Sequence, residues 1–426
     1  MNILILGSGG REHAFAYKIS QSPFCTQLFI APGNAGTEQY GKNVNISVKD
    51  FTGIKAFCVS NEINMIVVGP EDPLVAGIYD FIKADTALQS IIVIGPSAAG
   101  AQLEGSKAFS KQFMQRHNIP TAAYAEFNKN NFDEGLVYLE EHSLPIVLKA
   151  DGLAAGKGVV ICENVSEAKA VFTAMIKDKQ FGEASARVVI EQFLAGIEVS
   201  VFALTDGKDY KIIGHAKDYK RIGEGDIGLN TGGMGCVSPV PFMDAEFMRK
   251  IEEKIISPTI RGLYQESLEY KGIVFFGLIK VADEPFVIEY NCRMGDPETE
   301  VVMPRLKNDI VELFVAIEKG DLKKKIIDID KRACGTVVAV SGGYPGEYKK
   351  DLEISGIDEV TFNKDIIVFH CGTKVADSKV VTNGGRVLAV TSFGTDIKSA
   401  VNNSVSTLKS INFDGMYFRS DIGFEF

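Results

Sequence analysis

At 426 residues the chain exceeds what one compact core holds, and two to four domains are expected. Hydrophobic content of 46%, charged content of 23% and 42 glycines fit a soluble, loop-rich α/β enzyme. A net charge of −10 excludes general nucleic-acid binding, so any anionic ligand must be held by local lysines and arginines.

The opening Met1-Asn2-Ile3-Leu4-Ile5-Leu6-Gly7 has no basic region before its apolar run and reads as a strand, not a signal peptide. No apolar run approaches the ~20 residues of a membrane span. Residues 2–6 then enter Gly7-Ser8-Gly9-Gly10-Arg11-Glu12-His13, followed by a helical pattern through Ala14, Phe15, Tyr17 and Ile19. Glu12 stands where a dinucleotide fingerprint needs its third glycine, which weakens nicotinamide binding. The turn and helix start can hold a single phosphate beside Arg11. Apolar strands follow at 28–31, 65–68 and 91–94, each closed by glycine or proline. Their continuous apolar character predicts parallel strands buried on both faces, with carboxyl ends opening on one ligand-bearing edge. Ser106 caps a helix carrying Phe109, Phe113 and Met114, and Lys107 in its first turn opposes the helix dipole unless an anion shares the site.

Residues 146–161 join two β-branched runs through a turn with Gly152, Gly156 and Gly158, flanked by Lys149 and Lys157. The spacing is not a Walker A motif, because three residues separate Gly152 from Gly156, Gly158 follows Lys157, and a strand comes next. The stretch is either a phosphate flap on a hairpin or a mobile surface hairpin with incidental lysines. A helix is expected near 166–176 and a strand at 187–190. The latter crosses between two lobes through Glu191, Gln192, Phe193 and Leu194 toward Glu198; both glutamates could equally face solvent. Lys217, Asp218, Tyr219, Lys220 and Arg221 suggest a basic loop, and Asn230-Thr231-Gly232-Gly233-Met234-Gly235 a backbone-lined pocket. In the strand around 286–293, Glu289, Asn291 and Arg293 share one face. The acid and amide are hard oxygen ligands suited to Mg²⁺ held jointly with nucleotide phosphates, and the guanidinium can bind a carboxylate or phosphate; an exposed edge face is the alternative. From about Asp321 a separate α+β unit is expected, with strands near 335–340, 366–370 and 386–391 and a helix near 396–411. Its loops Gly342-Gly343-Tyr344-Pro345-Gly346 and Asn383-Gly384-Gly385-Arg386 read as turn chemistry, with Arg386 and His370 as further possible ligands. Seven cysteines, odd in number and without a Cys-x-x-Cys pair, fit free thiols in a reducing cytosol, so a cytoplasmic enzyme is expected.

Taken together, residues 7–14, 31–37, 68–71, 102–107, 149–158, 230–235 and 289–298 resemble, in order, the phosphoribosylamine-glycine ligases of the ATP-grasp superfamily. The resemblance spans nearly the whole chain, which stops near Arg419-Ser420-Asp421-Ile422-Gly423, where the family's single-function form ends. It implies an α/β and α+β multidomain fold. The units would be an N-terminal doubly wound parallel-sheet (pre-ATP-grasp) domain at 1–104, an ATP-grasp core at 105–325 with a mobile lid at about 120–190, and a C-terminal α+β domain at 326–426. The implied reaction converts ATP, glycine and 5-phosphoribosylamine to glycinamide ribonucleotide, ADP and phosphate through glycyl phosphate, in purine biosynthesis.

The same resemblance assigns roles. Lys107 and Lys149 would meet the nucleotide phosphates under a loop through Gly156, Lys157 and Gly158. Glu191, Gln192, Phe193 and Leu194 would hold adenine and Glu198 the ribose. Glu289 and Asn291 would bind Mg²⁺ or Mn²⁺, and Arg293, with Lys149 and Asp218, would serve the chemistry. Gly9, Gly10, Arg11, Asn34 and Gly36 would meet the phosphate of the ribosylamine. Lys220, Asn230, Gly232, Gly233, Gly295, Asp296, Pro297 and Glu298 would line the amine and glycine sites. A transient contact with the upstream amidotransferase is also implied. Two departures stand out: Leu229, with Ile227 before it, replaces the proline expected ahead of the glycine loop, and Lys280 occupies a strand where wider relatives place an acidic metal ligand. The rival readings are another ATP-grasp ligase, such as a carboxyaminoimidazole or biotin carboxylase relative, and a nucleotide sensor without catalysis.

Overall fold

The apolar runs of the first hundred residues bury both faces, and alternation decides which core each side chain joins. In the strand Asn2–Gly7, Leu4 and Leu6 enter one core while Ile3 and Ile5 enter another, all four fully buried. Gln27–Pro32 and Met65–Val68 flank it in parallel, and Ile92–Pro96 continues beyond Met65–Val68. The computed structural model describes residues 1–153, 158–357, 360 and 364–426.

These strands form one end of a 13-stranded sheet. Ile92–Pro96 pairs with Tyr270–Val281, which carries Ile197–Thr205 and Glu284–Asn291, and the path runs on through Tyr210–Asp218 and Gly235–Ser238. Gly235–Ser238 then pairs with Ala333–Val340, followed by Arg386–Gly394 and Ile366–His370. The late strands expected as a separate unit are thus hydrogen-bonded into the central sheet, while their own core gathers around Val338, Phe369, Leu388 and Val401 of the helix Ile397–Leu408. Asp396 caps that helix by accepting from the Ser399 amide.

A second sheet stands apart: Tyr124–Asn128, Arg187–Gln192, Ile146–Ala150 and Val159–Cys162, all antiparallel. The helices Phe132–Glu141 and Val165–Ile176 close its core, with Phe132 stacked on Phe172 at 5.2 Å. Each large buried side chain there contributes roughly 1.5–3 kcal/mol. All seven cysteines are free, five of them buried. Among the described residues no helix is long and apolar enough to cross a membrane.

Candidate active site

Between the small sheet and the central sheet lies a cavity that several chain segments approach. On Ile146–Ala150, Ile146, Leu148 and Ala150 fill the small core, so Lys149 projects from the opposite face. The same alternation on Arg187–Gln192 puts Val188 and Ile190 inside and Glu191 beside Lys149. Glu191 Oε1 lies 3.0 Å from Lys149 Nζ and Oε2 lies 2.9 Å from Lys111 Nζ. Burial alone would raise the Glu191 carboxyl, but Lys149 and Lys111 outweigh it and hold it below its ordinary value. Burial pushes Lys111 down to about 8, with Glu191 opposing the shift. Glu191 is therefore a buried bridge between two cations, not a solvent-facing charge.

The helix Lys107–Arg116 begins at the cavity. Ser106 caps it as expected, accepting from the Phe109 amide. The anion that Lys107 seemed to require is supplied within the chain: Asp151 Oδ1 accepts from the Ala108 amide at 2.7 Å and from the Ser106 hydroxyl. Lys107 Nζ donates to the Gly152 carbonyl at 3.2 Å, which ties the hairpin turn to the helix. Gly158 lines the cavity; Gly156 and Lys157 lie outside the described residues. The crossing expected after Glu191 is present, since Arg187–Gln192 belongs to the small sheet and Ile197–Thr205 to the central one. Gln192 and Phe193 are exposed at this crossing and Leu194 half-buried. Glu198, also exposed, pairs with Lys220 at 2.6 Å.

Glu289 and Asn291 lie on Glu284–Asn291 and line the same cavity. Neither side chain makes a hydrogen bond or ion pair with the described residues, so carboxylate and amide oxygens are open to a divalent cation. No group of three or more His, Cys, Asp or Glu residues suited to a metal occurs among the described residues, and such a cation would complete its shell with phosphate and water oxygens. Lys280 does not bear on this pair. It stands opposite Pro285, whereas Gly277 stands opposite Glu289, and its ammonium meets Asp283 and the rings of Phe242 and Phe247. Arg293 lines the cavity one step beyond the strand, held by Glu71 at 3.2 Å, Glu104 at 2.6 Å and the Met294 carbonyl at 3.1 Å. Glu104 also accepts from the Cys292 amide at 2.8 Å. Burial raises the Glu104 carboxyl, opposed by Arg293.

Beyond Arg293 the chain turns through Gly295 to Glu298 toward a second cluster. Asp218, at the end of Tyr210–Asp218, has Oδ1 buried without a hydrogen-bond partner among the described residues. Burial, and then Glu298, raise its carboxyl well above the usual range. Glu298 is itself raised by burial and accepts from the Ser200 hydroxyl at 3.0 Å. Gly233, at φ +119°, presses between Asp218 and Pro297: a Cβ there would come within 2.5 Å of Pro297 Cδ and 2.7 Å of Asp218 Oδ1. Gly295 similarly faces the Glu298 carboxylate. Asn230 ends the short exposed strand Ile227–Asn230, in which Ile227 stands opposite Gly223 and Asn230 opposite Arg221, and the side chains of Ile227 and Leu229 are exposed. Of the expected basic run, Lys217 turns inward to Glu425 at 2.6 Å, while Lys220 stays exposed.

The residues expected to cradle the phosphate are brought together at a joint between distant parts of the chain. The Gly9 amide donates to Glu12 at 2.6 Å and the Arg11 amide to Asp296 at 3.2 Å, so carboxylates already occupy the helix start. Arg11 is 8% exposed, and its side chain is bonded to Glu12 and the Met294 carbonyl. Asn34 donates to the Ser8 and His370 carbonyls and accepts from the Gly36 and Thr37 amides, leaving no free group. Gly36 lies against the rings of His13 and His370 with no room for a side chain, and Glu300 fills the space beside Gly10. His370 is thus a packing partner, its amide donating to His13 Nδ1 at 2.8 Å. Lys111, Glu71 and Glu104 are the site residues that the sequence reading did not assign. Lys111 was signalled by standing one helical turn after Lys107.

The chain as a whole is similar to known proteins. Family models of phosphoribosylglycinamide synthetase match in sequence order: the N domain over residues 1–104, the ATP-grasp (A) domain over 105–299 and the C domain over 334–425. The phosphoribosylamine–glycine ligase of Pasteurella multocida is 45% identical, covering 100% of this chain and 98% of its own length. That of Caldanaerobacter subterraneus is 42% identical, covering 99% of each. The crystal structure of the Thermotoga maritima phosphoribosylamine–glycine ligase superposes with a TM-score of 0.85 at 32% identity, over 99% of this chain and 100% of that one. The Campylobacter jejuni biotin carboxylase shares the fold, with a TM-score of 0.74 at 16% identity over 100% of this chain and 94% of that one. The chain belongs to the phosphoribosylglycinamide synthetase family, with an ATP-grasp core.

Proposed function

We propose that the chain is an ATP-dependent ligase joining glycine to 5-phosphoribosylamine, giving glycinamide ribonucleotide, ADP and phosphate. The observation that carries this reading is the path of one segment: Glu289, Asn291 and Arg293 line the cavity shared with Lys107 and Lys149, and the chain then continues to Asp296 and Glu298 beside Asp218. A phosphoryl donor on one side and an amine on the other would meet at Arg293.

Glycine's carboxylate is a poor acyl donor because its leaving group would be oxide. Its oxygen attacks the γ-phosphorus, the bond to the β–γ bridging oxygen breaks, and ADP leaves. The ribosylamine nitrogen then attacks the glycyl carbonyl, the carbon–oxygen bond to phosphate breaks, and the amine's proton passes to a base. Lys107 and Lys149 neutralise the phosphates, and Arg293, fixed by Glu71 and Glu104, steadies the acyl phosphate. Mg²⁺ or Mn²⁺ held by Glu289 and Asn291 would supply charge neutralisation at the transferred phosphoryl group. Asp218 is the proton acceptor, with Lys220, Asn230, Gly232, Gly233, Gly295, Asp296, Pro297 and Glu298 around the amine and glycine. Gln192, Phe193 and Leu194 border adenine and Glu198 the ribose. Residues 1–104, 105–325 with a lid at about 120–190, and 326–426 act as the working units, in the cytoplasm. Direct transfer from the amidotransferase that makes the labile amine would spare it hydrolysis.

The test is ADP release measured with each component omitted. Release requires glycine, phosphoribosylamine and a divalent metal together; release unchanged when other small carboxylates replace glycine overturns the reading.

A further inference from the structure

The two glycine-rich loops of the C-terminal unit, Ser341 to Gly346 and Asn383 to Arg386, have no part in the chemistry above, yet they meet at one peptide of the amine site. They are joined to each other, with the Ser341 amide donating to the Gly385 carbonyl at 2.8 Å and the Ser341 hydroxyl to the Gly384 carbonyl at 2.9 Å. Gly385 lacks a side chain where the Tyr344 ring lies, so tyrosine and Arg386 approach from the same side.

Arg386 Nη1 donates to the Gly232 carbonyl and to the Asp296 carbonyl, each at 2.7 Å. Its Nη2 lies 2.9 Å from Asp296 Oδ1. The Gly232 amide in turn donates to the Tyr344 hydroxyl at 2.9 Å. The ends of this loop are tied down elsewhere, Thr231 to the Lys220 carbonyl and Met234 to the Tyr219 carbonyl. Among the described residues, however, both polar groups of Gly232 go to the C-terminal unit. A Cβ on Gly232 would sit 3.0 Å from Arg386 Cζ, so the loop rests directly on the guanidinium. The next residue is Gly233, wedged against Asp218 and Pro297.

We infer that Arg386 and Tyr344 are positioning residues that clamp the Gly232 peptide against Asp296 and thereby set the shape of the amine and glycine site. The inference rests on the reading that Gly232, Gly233 and Asp296 line that site. A planar fork suits the task because it reaches two carbonyls and a carboxylate from fixed directions, which a lysine's single ammonium does not. The C-terminal unit therefore contributes to amine affinity without contacting the nucleotide.

Four variants test this: Arg386→Gln, Arg386→Lys, Tyr344→Phe and Asp296→Asn. Arg386→Gln should raise KM for both glycine and phosphoribosylamine by about 10–100-fold, the loss expected for hydrogen bonds to a charged group. Tyr344→Phe, which keeps the ring, should raise both by about 3–10-fold. Nucleotide Kd stays within about twofold of the parent in both, and Arg386→Lys does not restore amine KM. Arg386→Gln and Tyr344→Phe together should lose less than the product of their separate effects, because both release the same peptide. Unchanged amine KM in Arg386→Gln overturns the clamp, and so does a parallel rise in nucleotide Kd, which would mark general loosening. Asp296→Asn separates the two levels. If it leaves amine KM unchanged, the site reading fails; if it raises amine KM while Arg386→Gln does not, the clamp alone fails.

Discussion

The nucleotide half and the amine half of the site are built in different ways. Lys149, Glu191, Glu289 and Asn291 project from strands, and Lys107 and Lys111 from a helix, so regular periodicity aims each of them. Asp218 ends a strand, but Gly232, Gly233, Asp296 and Glu298 stand on turns whose shape is imposed by Arg386, Tyr344 and Pro297. The first half interleaves cations with carboxylates, Lys107, Lys111, Lys149 and Arg293 among Glu71, Glu104, Glu191 and Glu289. The second gathers buried carboxyls, suited to an amine. On the proposed reading, the segment through Arg293 joins these two environments, and the Glu198–Lys220 pair spans them as well.

The largest effect expected from breaking this division is at the metal-facing strand. Glu289→Gln should lower turnover by about 10²–10³-fold, the scale of one lost transition-state charge contact, with little change in melting temperature. Turnover equal to the parent's would remove Glu289 from the metal site. Asp218→Asn follows, with a loss of about 10²-fold in amide formation and an unchanged nucleotide Kd. Because burial raises the Asp218 carboxyl, the parent's kcat/KM for the amine should fall as pH drops and Asp218 becomes protonated. The asparagine variant should lose that acid limb, and a limb that persists assigns the proton to another group.

A smaller effect sharpens the nucleotide half. Lys111 titrates near 8, so raising pH through that value removes one of the two cations on Glu191 and leaves Lys149 as its partner. Nucleotide Kd should then weaken by about 3–10-fold as Lys149 is drawn away from phosphate. Lys111→Met should show the weakened Kd already at pH 7 and no further change to pH 9. The sign for stability is opposite. The folded-state value lies below the unfolded one, so the unfolded chain binds more protons between about 8 and 10.5, and this lysine's contribution favours folding increasingly as pH rises through that window. Smallest of all, Glu198→Gln removes an exposed pair with Lys220 and should change stability by less than about 0.5 kcal/mol, while nucleotide Kd rises by about 3-fold. A Kd that does not move removes Glu198 from the ribose contact.

The sequence showed what obeys a local period. The parallel strands at the start, the hairpin carrying Lys149, the cap at Ser106 and the shared face of Glu289 and Asn291 all follow from spacing of two or 3.6 residues. It did not show what depends on partners far away in the chain. Arg11 looked free for phosphate because its partners at Met294 and Asp296 are almost three hundred residues distant. Glu71 and Glu104 looked ordinary until Arg293 reached them across 222 and 189 residues. Lys217 belonged to an apparent basic run until Glu425, at the other end of the chain, turned it inward. Charge runs and glycine turns are read by neighbours in sequence, whereas their roles are set by neighbours in space.

The continuity of the main sheet has a consequence for the amine site. Hydrogen bonding passes without a break from Ile366–His370 to Lys42–Asn43, so the turns that receive the amine are mounted on a single framework. The small four-stranded sheet, with its own core of Phe127, Phe132, Phe172 and Ile190, stands outside that ladder. As the proposed lid, it touches the framework through side chains, with Lys149 donating to the Ile288 carbonyl at 3.3 Å, and not through strand pairing of its own four strands. On the proposed reading, the amine pocket belongs to this framework and not to the lid, so glycine and the amine would meet a geometry set by the main sheet.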